Sequence, residues 1–149
     1  MSQAMDKLKR VKPLLRARAA QLNSEAQKLH FLRDLKHSAL GDLKRSQEEY
    51  IQAVEKINLQ RQSNQRTMLL TLENSVDTIK ARFYQSLKKV RELEQRERNQ
   101  MTRVLEAERN LQSAEKLQDR YQEVVKKDLG VKEQHRLDEI ALKRHWDNL

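Results

Sequence analysis

The chain has 149 residues, of which 36% are charged and 4% are aromatic, and its formal net charge is +9. Two glycines, one proline and no cysteine leave little material for tight turns, which disfavours β-rich and α/β folds and excludes a disulfide framework and thiolate chemistry. Because Leu, Arg, Lys, Glu, Gln and Ala predominate and all favour helices, composition alone predicts long helices or a coiled coil.

The first half of the chain has apolar residues seven positions apart. One heptad line is interrupted only by Lys36 and consists of Leu8, Leu15, Leu22, Leu29, Lys36, Leu43, Tyr50 and Ile57. A weaker line, three residues later, runs from Val11 to Ala53. Four further residues are expected to widen this apolar stripe: Ala19, Ala26, Leu40 and Val54. The a/d spacing predicts a helix over about 12–61, with Pro13 in its first turn, where the missing N–H costs nothing.

The middle of the chain, residues 58–67, has no aliphatic side chain after Leu59. Ser63 and Asn64 are the best candidates for starting a second helix, because their side-chain oxygens can accept hydrogen bonds from free backbone N–H groups. We therefore predict a turn at about 62–66. The alternative is one unbroken helix through this region.

The second half repeats the heptad pattern. One line runs through Leu69, Val76, Phe83, Val90, Glu97, Val104, Leu111, Gln118 and Val125, and the other through Leu72, Ile79, Ser86, Leu93, Gln100, Ala107, Ala114 and Tyr121. A strict period of seven predicts a left-handed supercoil. The sequence therefore predicts one domain, 1–149, with an all-α fold: a long antiparallel two-helix coiled-coil hairpin whose second helix covers about 67–146.

Sequence motifs for catalysis are missing. There is no phosphate-binding loop, no dinucleotide-binding glycine motif and no HExxH metal motif. His135 and Asp138 lie three residues apart on one predicted helix face, but such polar pairs are common on solvated surfaces. We expect no catalytic residue, no metal site, no cofactor and no small-molecule substrate. No apolar run approaches the roughly 20 residues that span a bilayer, so we expect no membrane insertion and an intracellular location.

The basic charge favours an acidic partner, which could be nucleic acid, anionic lipid or protein. A basic segment before heptads is also the layout of a bZIP protein, and a basic coiled-coil DNA-binding protein is the main alternative. Against it, four apolar side chains would face the DNA backbone: Leu8, Val11, Leu14 and Leu15. A helix lying on a membrane lacks the usual Trp/Phe face. A structural coiled coil that dimerises in parallel is a further possibility.

The opening segment "LKRVKPLLRARAAQL" resembles the N-terminus of the YscO-type proteins of bacterial type III secretion systems, which begin with an "RVKxLR" segment before a long helix. Here Arg10, Val11, Lys12 and Leu14 match, with Leu15 and Arg16 following, and Pro13 has no counterpart in the family pattern. The end of the chain is similar to that of the flagellar counterpart, FliJ, in its "LDE-A" run at 137–141. The segments "LKRSQEEY" and "LLTLENSV" resemble parts of the flagellar hairpin.

Membership of the YscO/FliJ family would imply a small antiparallel coiled coil like the central stalk of rotary ATPases. Such proteins associate with the hexameric export ATPase at the cytoplasmic base of the secretion machine. They also contact the cytoplasmic domain of the membrane export gate and bind free export chaperones. They promote protein export and are not enzymes themselves.

The hairpin would bring both chain ends to one basic tip that could enter a ring pore lined with acidic groups. We expect the ATPase-binding tip to comprise Leu8, Arg10, Val11, Lys12, Leu15, Arg16, Leu137, Ile140 and Arg144. Residue matching to the family places export-gate contacts at Leu43, Tyr50, Met68 and Leu72. Leu43, Tyr50 and Leu72 also lie on the heptad lines, so packing between the helices is the competing role for them.

Overall fold

The computed structural model describes residues 3–62 and 66–148, except the side chain of Thr67. It contains two helices, α1 (Gln3–Gln62) and α2 (Arg66–Asp147), and these described residues include no strand. The two helices pack against each other as an all-α hairpin. Contacts between Lys7 and Tyr121 and between Arg61 and Glu73 show that the helices are antiparallel. The predicted fold class is therefore confirmed.

The start of α1 differs from the expected position near residue 12. Because α1 begins at Gln3, Pro13 lies in the helix interior, and its predicted place in the first turn is wrong. An interior proline removes a backbone hydrogen bond and costs about 3 kcal/mol relative to alanine. The turns before it are nevertheless helical because they pack against α2. Ala4 and Val11 in this stretch are both buried.

The helices come together near the predicted turn at about 62–66. Helix α1 ends at Gln62 and α2 begins at Arg66, and the Arg61 guanidinium lies 3.7 Å from the Glu73 carboxylate. Ser63 and Asn64, the predicted helix-start residues, lie outside the described residues.

The contact between the helices follows the predicted heptad lines. Every residue named on the first line of α1, including Lys36, and on both lines of α2 is buried or partly buried. The predicted wider stripe is wrong at Ala19, Ala26 and Leu40, which are exposed. A helix that packs on only one neighbour shields a narrow stripe, and residues one position further around its axis face solvent.

By their internal contacts the residues form two compact units. Unit 1 comprises Met1–Ser24 and Val104–Leu149, and unit 2 comprises Glu25–Arg103. The core of unit 2 is built from Ala39, Val90 and Leu93, with Leu32 and Leu43 packed against it. The buried apolar residues of unit 1 are Ala4, Val11, Val104, Ala107 and Ala114. Neither described helix contains a stretch long and apolar enough to cross a membrane.

Candidate partner-binding surfaces

Unit 1 contains both ends of the chain and all nine predicted tip residues. The cations Arg10, Lys12 and Arg16 are exposed. The apolar residues predicted beside them are not equally available. Val11 is only 3% exposed, and Leu8 and Leu15 are partly buried. Because these three side chains lie on the heptad lines, most of their apolar surface is used in packing α1 against α2.

The register of unit 1 is visible where α1 begins. The Lys7 ammonium lies 5.9 Å from the centre of the Tyr121 ring, a cation–π contact across the two helices. Gln3 and Ala4 share a shallow groove with Tyr121 and Asp128. The described part of α1 therefore meets α2 as far as Asp128.

The predicted tip residues of α2 lie beyond that contact. Leu137 is 49% exposed and Ile140 is 40% exposed, and Arg144 is also exposed. Leu137 follows Tyr121 by 16 positions, which is about 24 Å along the helix axis at a rise of 1.5 Å per residue. The structure thus places Leu137, Ile140 and Arg144 in the same unit as Leu8 but not beside it.

Further exposed apolar residues in this segment were missed by the sequence analysis. They are Leu129, Val131 and Leu142. Trp146, which belongs to the C-terminal side of the expected tip, is 66% exposed. A signal was available in the sequence, because the heptad lines become polar after Val125. Their next positions include Lys132 and Glu139. Leu129 and Val131 lie off those lines, whereas Leu142 and Trp146 return to them beyond these polar positions. Exposed apolar residues both on and off the lines indicate a surface that faces something other than α1.

A second candidate surface lies in unit 2, near the ends of α1 and α2 that flank residues 63–65. Met68, one of the predicted gate contacts, is 56% exposed. It lines an open, mainly apolar groove together with Leu72, Leu59 and Lys56. Leu59 is 66% exposed, and in the sequence it is distinguished only as the last aliphatic residue before the predicted turn. Leu72 is partly buried and so contributes to both the groove and the helix contact.

The other two predicted gate contacts lie further along unit 2 and hold the helices together. Leu43 packs against the core formed by Ala39, Val90 and Leu93. The Tyr50 ring stacks on Phe83, with centroids 5.9 Å apart and planes 3° from parallel. Both residues remain partly exposed. Leu43 precedes Leu59 by 16 positions, about 24 Å along α1, so the predicted gate contacts do not form one patch.

Polar residues also occupy the helix contact of unit 2. Gln100 Nε2 donates hydrogen bonds to the buried Glu25 side-chain carboxylate and, at 3.0 Å, to the Glu25 carbonyl oxygen. The hydrogen bond from Gln100 is the main cause of the lowered pKa of Glu25, assisted by the charges of Lys28 and Arg103 and opposed by burial. These contacts tie the two helices at one register.

A second polar contact also joins the two helices of unit 2. The Lys36 ammonium lies 2.7 Å from the Glu97 carboxylate, and the Arg33 guanidinium is 4.0 Å from the same group. Lys36 is the one polar residue of its heptad line, and Glu97 is one of two in its own line, the other being Gln118. In the structure Lys36 and Glu97 form an ion pair. Across residues 3–62 and 66–148, no three His, Cys, Asp or Glu side chains cluster as metal ligands.

No protein-family model, curated protein or solved structure matches the chain. The resemblance of its two ends to the YscO/FliJ family stays a prediction. The candidate surfaces are the exposed C-terminal part of α2 with the cations of unit 1, and the apolar groove around Met68 in unit 2.

Proposed function

We propose that this chain is a non-enzymatic stalk component of a bacterial type III secretion system, a member of the YscO/FliJ family. It works in the cytoplasm at the base of the secretion apparatus. There it links the hexameric export ATPase to the cytoplasmic domain of the export gate, binds free export chaperones and promotes protein export. The terminal sequence motifs and the helical hairpin support this proposal.

The observation that carries the proposal is the exposed amphipathic end of α2. Leu137, Ile140 and Arg144 lie at positions i, i+3 and i+7, which places them on one face of the helix. Among the described residues α1 does not cover this face. An apolar stripe with a cation beside it suits insertion into a ring pore that has acidic and apolar walls. Arg10 and Arg16 in the same unit add long-range attraction for such a ring.

The role of the other end follows from its apolar surface. Leu59 and Met68 expose most of their side chains around one groove. Exposed apolar residues that line a groove mark a protein-contact surface more often than single scattered ones do. A stalk whose two ends bind different proteins needs two such surfaces, and this groove would meet the export gate.

The ATPase contact can be tested by affinity pull-down with the cognate export ATPase. We expect an Arg10→Glu/Arg16→Glu variant and a Leu137→Ala/Ile140→Ala variant to lose most of the binding. The matched charge control is Lys44→Glu/Lys88→Glu, which changes two exposed cations of unit 2. Its binding should be unchanged. ATPase binding that survives both tip variants would refute the tip assignment.

The alternative of a DNA-binding coiled coil makes a different prediction. A bZIP basic region is a helix that lies unpartnered in the major groove, whereas Val11 in the basic segment is buried against α2. Fluorescence anisotropy with duplex DNA across a salt series distinguishes the two functions. A steep negative salt slope at submicromolar affinity would favour DNA binding over the stalk function.

A further inference from the structure

Cations follow a heptad line of their own on α2. Arg82, Lys89 and Arg96 lie seven residues apart, and each immediately precedes a residue of the helix contact. All three are exposed and belong to unit 2. At 1.5 Å per residue they are spaced about 10.5 Å apart along the helix. Charges beside a coiled-coil contact determine which helices pair with it.

Among the described residues, no carboxylate of α1 forms an ion pair with these cations. The ion pairs that join the helices of unit 2 involve Glu97 and Glu73 instead. Within the part of the chain that the structure describes, Arg82, Lys89 and Arg96 make no ion pair. A repeated charge without a partner in the hairpin is available to a partner outside it.

An open groove runs between this line and α1 along one flank of unit 2. It consists of four stretches, and each shares lining residues with the next: Ala39 and Lys89, then Glu49 and Arg82, then Lys56 and Leu72. Its apolar lining includes Leu35, Leu93, Ala53, Val76, Ile79 and Met68. Three of the four stretches therefore have apolar residues in their floor, whereas the stretch around Ser46 and Ser86 is lined mainly by polar side chains.

The rim of this groove has a net positive charge. Its lining includes five cations, Arg45, Lys56, Arg82, Lys89 and Arg96, and three acidic residues, Asp42, Glu49 and Glu92. Asp42 pairs with Arg45 on its own helix. The remaining four cations against two carboxylates favour an acidic occupant.

The shape and spacing of the groove match a third helix. The furrow between two packed helices is where the next helix of a bundle lies, with its apolar stripe against the floor. In a helix that lies alongside α2, residues seven positions apart are also separated by about 10.5 Å along the axis. Carboxylates at successive heptad positions would therefore each meet one of the cations. A nucleic acid would not cover the apolar floor. A second copy of this chain would bring a net charge of +9 to a groove whose rim is already positive.

We propose that this groove is a docking site for an amphipathic helix of another protein that carries Asp or Glu at successive heptad positions beside its apolar stripe. Docking completes a three-helix bundle with unit 2. The site differs from the C-terminal end of α2 and does not depend on the proposed stalk function.

The test uses the full chain and a fluorescein-labelled synthetic peptide of about 28 residues, four heptads with Leu and Ile in the apolar stripe and Glu along one flanking line. A second peptide has Lys in place of each Glu. We expect anisotropy titrations to show binding of the Glu peptide. The Arg82→Glu/Lys89→Glu/Arg96→Glu variant should bind it at least about tenfold more weakly and should bind the Lys peptide instead.

The matched control is Lys44→Glu/Lys88→Glu/Arg91→Glu, which makes the same change in net charge at exposed positions off this line. Its affinity for the Glu peptide should stay within about twofold of the original. Circular dichroism verifies that all variants fold.

Four results would overturn the proposal. The first is no binding of the Glu peptide to the original chain. The second is equal weakening by the two triple variants, which would indicate unspecific attraction. The third is displacement of the peptide by duplex DNA with the same dependence on the three cations. The fourth is a dimer in sedimentation equilibrium that the groove variant abolishes, which would make a second copy the occupant.

Discussion

Truncation of Leu93 measures how much one position of the helix contact contributes to folding. Leu93 is 5% exposed and packs with Ala39 and Val90. Replacement by alanine removes three carbon atoms, which at about 0.8 kcal/mol each corresponds to roughly 2.4 kcal/mol of lost burial. In a closed core the cavity would raise the cost toward about 5 kcal/mol. Here a groove opens beside Leu93, so water and neighbouring side chains fill the gap.

We therefore expect Leu93→Ala to lower the free energy of unfolding by about 2.5 kcal/mol, the lower end of the range for buried leucines. Urea unfolding followed by far-ultraviolet circular dichroism gives this difference. The matched control is Leu70→Ala in the same helix and unit, where the side chain is 63% exposed and the loss should stay below about 0.5 kcal/mol. Similar losses in the two variants would refute the reasoning, and so would a loss above about 4 kcal/mol, which indicates a closed core.

Three further predictions concern Pro13 and the polar contacts. Pro13→Ala should raise the free energy of unfolding by about 1–3 kcal/mol, because it restores a helical hydrogen bond; urea unfolding that shows a loss would contradict this. A double-mutant cycle of Lys36→Ala and Glu97→Ala should give a coupling of about 1 kcal/mol for this partly buried pair, and zero coupling would show that the pair is incidental. The lowered pKa of Glu25 means that its stabilising effect is complete above its ordinary value of 4.5 and is lost as the pH falls through the lower folded-state pKa. Glu25→Gln should therefore flatten the stability profile below pH 4.5, and parallel profiles in urea unfolding would exclude this contribution.

The helix contact was the most predictable feature of the fold. Side chains seven residues apart return to the same face of a supercoiled helix, so the heptad lines identified the buried positions without any knowledge of the partner. The same pattern included Lys36 and Glu97 as isolated polar interruptions. That they lie opposite each other depends on the offset between the helices, which no pattern within one helix contains.

The candidate surfaces were only partly predictable. The cations Arg10, Lys12 and Arg16, predicted at the tip, are exposed, and their role there stays a prediction. Val11 was expected at the tip as an apolar contact, yet it is buried. A valine at a heptad position fits either a contact with a partner protein or packing between the helices. Only the position of α2 beside Val11 decides between these two roles. The exposure of Leu59 and the groove on the flank of unit 2 could be identified only from the positions of both helices.

The sequence by itself determined that this protein is helical, which stripe of each helix is buried and where the two helices separate, because these depend on local spacing and propensity. Only the tertiary structure decided that α1 extends back beyond Pro13, that Glu25 meets Gln100, and that Leu137 lies past the described start of α1. These features depend on the axial offset between the helices. That offset is selected by the sum of many contacts across the pair, and the periodicity of either helix alone is compatible with several offsets.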